Sequence, residues 1–466
     1  MNGTKLDRRD LFKLAGAGAA GLAAGFRIDG VAAAPGAATS SRRTVRQNGP
    51  TLKLMTWGGP ESSQRRDAGL RSVYPDLPPI EVIVPGSGDF DVASAYRLAL
   101  ASGEDIPDMI QLNRTQVAEF AAADELHDLG EAYAPVKDDL YAGAIELVTY
   151  DEKFVCFPFE LKSKLFYYRA DLFQEAGIDP AALTSVTSFI DAGKALTAKF
   201  PNSHILNLGP SPAQYWIGEL LSAYPDARFA DEEGNYQITT HPGFAATFTF
   251  LKDIAASGVA LPIDDWSSDW QQSWDQEAIA GSLLANWLKF FLPTFAPDQG
   301  GKWKVGLWPQ LDPLADQQYG SEAGGSVFIV PKRAKNADQA VDYLSKMFLD
   351  KQGSLAVYGT TGTTPLLKSA KDDFLAAVRG ATKPADMSEA DWAIQPANYF
   401  GPEYFDVELA SYDYVKILPY DPSAAEEIPI LLDWLIKFLA GDADLESALK
   451  SAQDDMESQI GNPYEV

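Results

Sequence analysis

A single cysteine, Cys156, excludes any internal disulfide and with it the small disulfide-stapled scaffolds. Three histidines, His127, His204 and His241, are scattered and share no helical turn, so a histidine-rich metal centre is not expected. No stretch reaches the ~20 apolar residues that a membrane span needs. There is no G-x-S-x-G nucleophile elbow. The lone G-x-G of "GSGDF" lacks the third glycine of a dinucleotide fingerprint, so no cofactor is expected. "DADLE" at 442–446 lacks the sixth-position glycine of a calcium loop and reads as a helix start. Basic charge is also short: 38 Lys and Arg against 65 Asp and Glu leave a net −27. An acidic surface repels phosphate backbones and disfavours nucleic-acid partners, but it does not discriminate among neutral solutes.

What is present is a soluble composition, 46% hydrophobic and 22% charged, spread over 466 residues. That is too long for one core, since single cores stop growing near ~250–300 residues, so two lobes are expected. The start, "LDRRDLFKLAGAGAAGLAAGFRIDGVAAAPG", has a basic head, an uncharged run from Leu14 to Phe26 and small residues around Val31-Ala32-Ala33. It reads as an export signal at 1–33, cleaved after Ala33. Arg8-Arg9 followed by Leu11-Phe12 resembles a twin-arginine signal. Cleavage would remove five basic and three acidic residues and leave −29. No cysteine follows the apolar run, so a protein free of a lipid anchor is expected. Residues 34–50, small and polar, read as a disordered leader.

Order is expected from "TLKLMTWGGP", where Leu52, Leu54 and Thr56 alternate with Lys53, Met55 and Trp57 as in a strand. A helix over 61–73, a strand over 80–86, a helix ending at Gly103 and a strand over 109–112 follow. This is a doubly wound parallel α/β unit. In such sheets ligands bind outside the carboxyl ends of the strands, where Trp57, Gly58 and Asn113 lie. The bland alternative is that Asn113 only caps the next helix. Farther on, Val155–Phe157 and Leu165–Arg169 read as strands. Residues 185–199, 213–222, 242–257 and 264–287 read as helical, and so does 336–351. Residues 424–460 are almost all helix with a break at Gly441-Asp442. Cys156, inside "KFVCFPF", is expected to be a small buried hydrophobe.

Five elements, in order, resemble the extracellular solute-binding proteins of ABC importers (family 1), and among them the carbohydrate-binding group that includes maltose-binding proteins. Ser102-Gly103…Pro107-Asp108 is similar to the family's "ASG…PD". "YDEKFVCFPFELKSKLFYYRADLFQEAGID" resembles "dGkvygiP…lyYNkdlFkkaGi". "WDQEAIAGSLLANW", "GGSVFIVPKRAKNADQAVDYLSKMFLDKQGS" and "LIKFLAGDADLESALKSAQDDM" resemble three further elements, and the match spans about 51–460. Cys156, Tyr168-Arg169 and Trp274 depart from the usual Gly, Tyr-Asn and Phe. The resemblance implies the two-lobe periplasmic-binding-protein fold (type II), each lobe a doubly wound sheet flanked by helices, with a solute held between lobes that close on it. It implies lobes at 51–157 plus 328–368 and 158–327 plus 369–466. It also implies no catalysis, delivery to a membrane permease, and a monomer.

Sugar recognition needs flat apolar faces and planar polar groups, and 10 Trp and 19 Tyr supply the first amply. Trp57, Trp287, Tyr215, Trp216 and Tyr420 are the candidate stacking aromatics. Trp266, Trp270 and Trp274 recur every four residues on one helical face. That face is expected to pack on the core, with Trp270 the one able to emerge toward ligand. Asp89, Asn113 and Glu160 are the polar candidates, Glu160 having a surface pair with Lys162 as its alternative. Gly324-Gly325 would allow close backbone approach. The same aromatics could instead box a cationic amine, an amino-acid-like compound or a polyol. A secreted glycosidase would need two carboxylates facing one bond, of which only Glu160 stands out.

Overall fold

The computed structural model describes residues 49–466, apart from 87, 104, 213–214, 225, 310, 312–319, 322–324, 386 and 466. The export segment at 1–33, all but the last two leader residues, and Gly324 lie outside the described residues. The chain divides into two compact units. The first takes residues up to Asn113, then Asp124–Leu161 and Ser326–Trp392; the second takes Arg114–Ala123, Lys162–Gly325 and Ala393–Val466. The lobes read from sequence ran 51–157 plus 328–368 and 158–327 plus 369–466. The divisions thus fall at 161, 325 and 392, and a short excursion at 114–123 goes to the second unit.

In the first unit, β1 (Leu52–Met55) pairs in parallel with β2 (Ile80–Ile83) on one side and β3 (Met109–Asn113) on the other. The crossovers are α1 (Glu61–Val73) and α2 (Asp89–Ser102). α2 stops where Gly103 takes the left-handed conformation, φ +70°, which only glycine adopts without penalty. Beyond β3 the sheet continues with Ser326–Ile329 and then Phe157–Pro158, both pairings antiparallel. The order β2-β1-β3 makes the β1/β3 seam the point where the winding reverses, the place where open α/β sheets take ligands. The helix expected over 336–351 is broken. Ala337–Leu344 runs into a π-helical turn, Ser345–Leu349, and Asp350 then caps a new helix, Lys351–Thr361, by accepting from the Gly353 N–H at 2.8 Å.

The second unit is built on Lys164–Arg169, which lies between Gly281–Ala285 and Trp303–Leu307 in an antiparallel sheet. The parallel pairing expected here is confined among the described strands to two short pairs, 206–207 with 260–261 and 320–321 with 415–416. Phe166, Phe189, Phe244, Phe248, Leu251, Leu431, Leu435 and Met456 join this sheet to its helices in one core. The C-terminal pair, Ala424–Ala440 and Leu445–Gln459, breaks at Gly441 as the sequence indicates. The helical reading of 264–287 holds only for Ser268–Asp275; Gly281–Ala285 is a strand with every residue buried. An apolar run buried on both faces carries no alternation, so periodicity cannot tell it from a buried helix. Cys156 is buried. No helix among the described residues is long and apolar enough to cross a membrane.

α1 packs closely on Lys351–Thr361 through Gly69. A β-carbon there would stand 2.7 Å from the Ala356 carbonyl oxygen and 2.5 Å from Thr360 Oγ1. Overpacking of this kind costs about 1–3 kcal/mol, while alanine regains up to about 1 kcal/mol of helix propensity. Gly69→Ala is therefore expected to destabilise the protein by about 1–2 kcal/mol in urea denaturation. An unchanged midpoint would show that the two helices part easily.

Candidate functional site

At the β1/β3 seam of the first unit the chain places polar groups at strand ends. Thr56, buried just past β1, donates to Gln111 Oε1 on β3. Trp57 follows, half-buried, and Gly58 is exposed with φ +77° and open space where a side chain would begin. Asn113 ends β3 and does more than cap a helix. Its Nδ2 donates to Asp89 Oδ2 at 2.6 Å, at the start of α2, and its Oδ1 accepts from Ser326 Oγ at 3.4 Å. Asp89 and Asn113 are both half-buried. The structure thus brings together three sequence-predicted residues, Trp57, Asp89 and Asn113, around ends of parallel strands.

Glu160 lies two residues past the Phe157–Pro158 strand and is buried. Its surroundings include a residue that pattern reading missed, Arg66. This side chain is 3% exposed, stacks its guanidinium 4.6 Å above the Phe159 ring, and donates to Ser62 Oγ and Ser63 Oγ at 2.9 and 3.0 Å. Burial pulls its pKa down to about 10, against the opposing fields of Tyr343 and Glu160. Arg66 therefore stays charged at neutral pH, and Glu160 faces a cation from α1. The only signal for it in the sequence is an arginine on the buried side of α1, beside two serines one turn earlier.

In the second unit the tryptophan stripe separates. Trp270 and Trp274 are fully buried, Trp270 donating Nε1 to Asn207 Oδ1 at 3.2 Å, so Trp270 is a core residue. Trp266 is the one that emerges, 37% exposed. Ser267 caps the helix by accepting from the Trp270 N–H at 3.1 Å, which leaves Trp266 outside the first turn with φ +67°. That conformation costs a non-glycine residue about 1–3 kcal/mol and persists only where surroundings impose it. The Trp266 ring meets Trp287 at 5.1 Å and 32°, and Phe291 stands edge-on to both, at 5.3 and 5.9 Å. Behind this pair Trp270, Trp274 and Trp303 continue inward at 5.2, 5.7 and 5.5 Å steps. The capping pattern Trp266-Ser267-x-x-Trp270 was the signal that could have separated Trp266 from the stripe.

The remaining candidates divide. Trp216 is 3% exposed and belongs to the core. Its ring lies 3.6 Å from Lys164 Nζ, which also lies 4.4 Å from Trp308 and pairs with buried Glu219. Burial holds the Lys164 pKa well below the ordinary lysine value, opposed by Asp265. Tyr215 starts the Tyr215–Leu221 helix, and its side chain lies outside the described residues. Gly325 is buried and its carbonyl accepts from the Arg114 N–H at 2.7 Å. Tyr420 is half-buried, its hydroxyl set against Gly218, where a β-carbon would stand 2.5 Å away.

Tyr420 is followed by a buried carboxyl cluster, Asp421 and Glu427, with Tyr236 beside it. Burial, reinforced by the Asp421 charge, pushes Glu427 up to about 9. Its unfolded value is near 4.3, so between these values the folded protein binds the extra proton. Stability from this group is complete below the unfolded pKa and falls as pH rises toward 9, by at most about 1.4 kcal/mol per pH unit. Glu427→Gln, neutral at every pH, is expected to flatten the decline of stability between pH 5 and 9. Parallel curves for both proteins would refute the burial effect.

Residues 77–392 match the family model described as bacterial extracellular solute-binding protein. A lactose-binding protein of Rhizobium radiobacter is 24% identical over 330 residues, covering 67% of this chain and 74% of that protein. An arabinooligosaccharide-binding protein of Halalkalibacterium halodurans is 21% identical over 397 residues, covering 83% and 84%. Among solved structures, the galacto-N-biose/lacto-N-biose I-binding protein of Bifidobacterium longum, in complex with lacto-N-biose, superposes with a TM-score of 0.69 at 18% identity, covering 89% of this chain and 98% of that one. A binding protein from B. animalis subsp. lactis, in complex with β-1,6-galactobiose, gives 0.68 at 20% identity, with 89% and 98% covered. These structures show the fold.

Proposed function

Because the chain belongs to the bacterial extracellular solute-binding proteins, we propose that it binds a neutral carbohydrate, of disaccharide size or longer, and hands it to an ABC-type permease. The observation that carries this reading is the exposed, conformationally strained Trp266 tilted against Trp287. Indole faces suit the C–H faces of pyranose rings, and amides and carboxylates suit the hydroxyls. Asp89, Asn113 and Glu160 in the first unit supply that second kind of group, and Trp57 adds an indole there. Relatives named for lactose and arabinooligosaccharide support a saccharide over other solutes. The protein is a binding protein and not an enzyme; no covalent step is needed. We read it as exported through its Arg8-Arg9 signal, free of a lipid anchor and monomeric.

An amine or quaternary ammonium solute is the second reading, and one observation weighs against it. The Trp216–Trp308 faces, suited to a cation, lie in the core against the protein's own Lys164 and are closed to a solute. A polyol remains compatible with the Trp266–Trp287 surface.

A thermal-shift screen of the mature protein against lactose, β-1,6-galactobiose, arabinooligosaccharides, polyols and betaines tests the reading. A saccharide at 100 times its Kd is expected to stabilise by about 2.7 kcal/mol and to remain intact on long incubation. Trp266→Ala and Trp287→Ala should each weaken that binding about tenfold or more, ~1.4 kcal/mol. Turnover of the saccharide would move the protein to the enzymes, and stabilisation by betaines alone would overturn the sugar.

A further inference from the structure

The turn Ala285-Asn286-Trp287 leaves a buried strand and opens the Leu288–Phe295 helix. The Asn286 N–H donates to the Ser163 carbonyl at 2.9 Å. The Ala285 carbonyl accepts from Tyr167 Oη at 3.3 Å and the Asn286 carbonyl from Tyr404 Oη at 3.2 Å, the two hydroxyls standing 3.0 Å apart. The side chains then converge on one atom. Glu408 Oε1 accepts from Asn286 Nδ2 at 2.6 Å, Lys289 Nζ at 2.7 Å and Tyr412 Oη at 2.9 Å. Asn286 Nδ2 also donates to Tyr412 Oη at 3.2 Å. Asn286, Lys289, Glu408 and Tyr412 have no exposed surface. A carboxylate at that depth is tolerated only when donors meet it, and two of its three donors flank Trp287 in the chain.

We infer that Glu408 is a positioning residue for the stacking surface: by holding Asn286 and Lys289 it sets the angle of Trp287 and, through the 5.1 Å ring contact, that of Trp266. The consequence for affinity rests on the carbohydrate reading; the pose of the rings does not, and it is measurable without solute. Nothing in the pattern of residues around Glu408, on the Tyr404–Ser411 helix, marks it as more than a buried acid.

The test reads the exciton circular-dichroism signal of coupled indoles in the solute-free protein. Because Trp266 also meets Trp270 at 5.2 Å, the share that belongs to the Trp266–Trp287 pair is taken from the Trp266→Phe, Trp287→Phe and Trp266→Phe/Trp287→Phe spectra together. The double variant Glu408→Leu/Lys289→Met replaces the buried ion pair by apolar groups of similar volume, an exchange that proteins tolerate. It is expected to lose more than half of that share. Its affinity for whichever saccharide stabilises the wild type should fall at least tenfold, with its unfolding still cooperative. Asn286→Ala and Tyr412→Phe keep the ion pair and release only the tether. They give the same reading if the double variant does not fold, with a loss expected for each and a larger one for Asn286→Ala. An unchanged exciton signal in the tether variants, or affinity lost while the signal stays whole, would overturn the positioning role. Failure of every saccharide to bind would count against the carbohydrate reading alone, because the optical signal still reports the pose.

Discussion

A carboxylate with no exposed surface has to be met by donors, and in the second unit that requirement shapes the region around the exposed aromatics. Glu408 draws Asn286, Lys289 and Tyr412 onto one oxygen. Asn286 in turn fixes the exit of the Gly281–Ala285 strand. Trp287 leaves that strand end at a set angle, and Trp266, in a conformation it would not adopt alone, leans on it. Three donors meeting one carboxylate oxygen away from water hold one another tightly, which stiffens the turn. Rigidity is what a stacking surface needs, because ordering two large side chains at the moment of binding would consume affinity.

The first unit solves a similar problem differently. There the parallel strands β1 and β3 end side by side, and the sheet itself delivers Thr56, Trp57 and Asn113 to one edge. Asp89 and Ser326 hold the Asn113 amide at both of its ends. Arg66 keeps its charge despite burial because the fields of Tyr343 and Glu160 oppose desolvation, while Phe159 covers one face and two serines accept its hydrogen bonds. Backbone topology places this constellation, where side-chain packing places the other.

That difference governs how much could be read from residues alone. The first unit announces itself locally, through alternation in Leu52–Thr56, Gly103 after a helix, and a polar residue at each strand end. The strand-end rule then pointed to Trp57 and Asn113. In the second unit the repeat Trp266, Trp270, Trp274 looked like one helical face, yet the Ser267 cap cuts the first of them off. Trp270 was expected at the ligand and lies in the core, as does Trp216 beneath Lys164. Gly281–Ala285 was read as helix because a strand buried on both faces shows no period of two.

The sequence by itself determined the family, the two-unit size, the absence of disulfides, the acidic balance and the α/β succession of the first unit. The family rests on the resemblance of five ordered motifs, and the rest depend on composition or on contacts between near neighbours in the chain. Only the tertiary structure decided which tryptophans meet solvent, that Arg66 lies against Phe159, and that Glu408 governs the turn before Trp287. Those pairings join residues roughly 90 to 120 positions apart. Burial at such a distance is set by how elements stack, and no local pattern of residues records it.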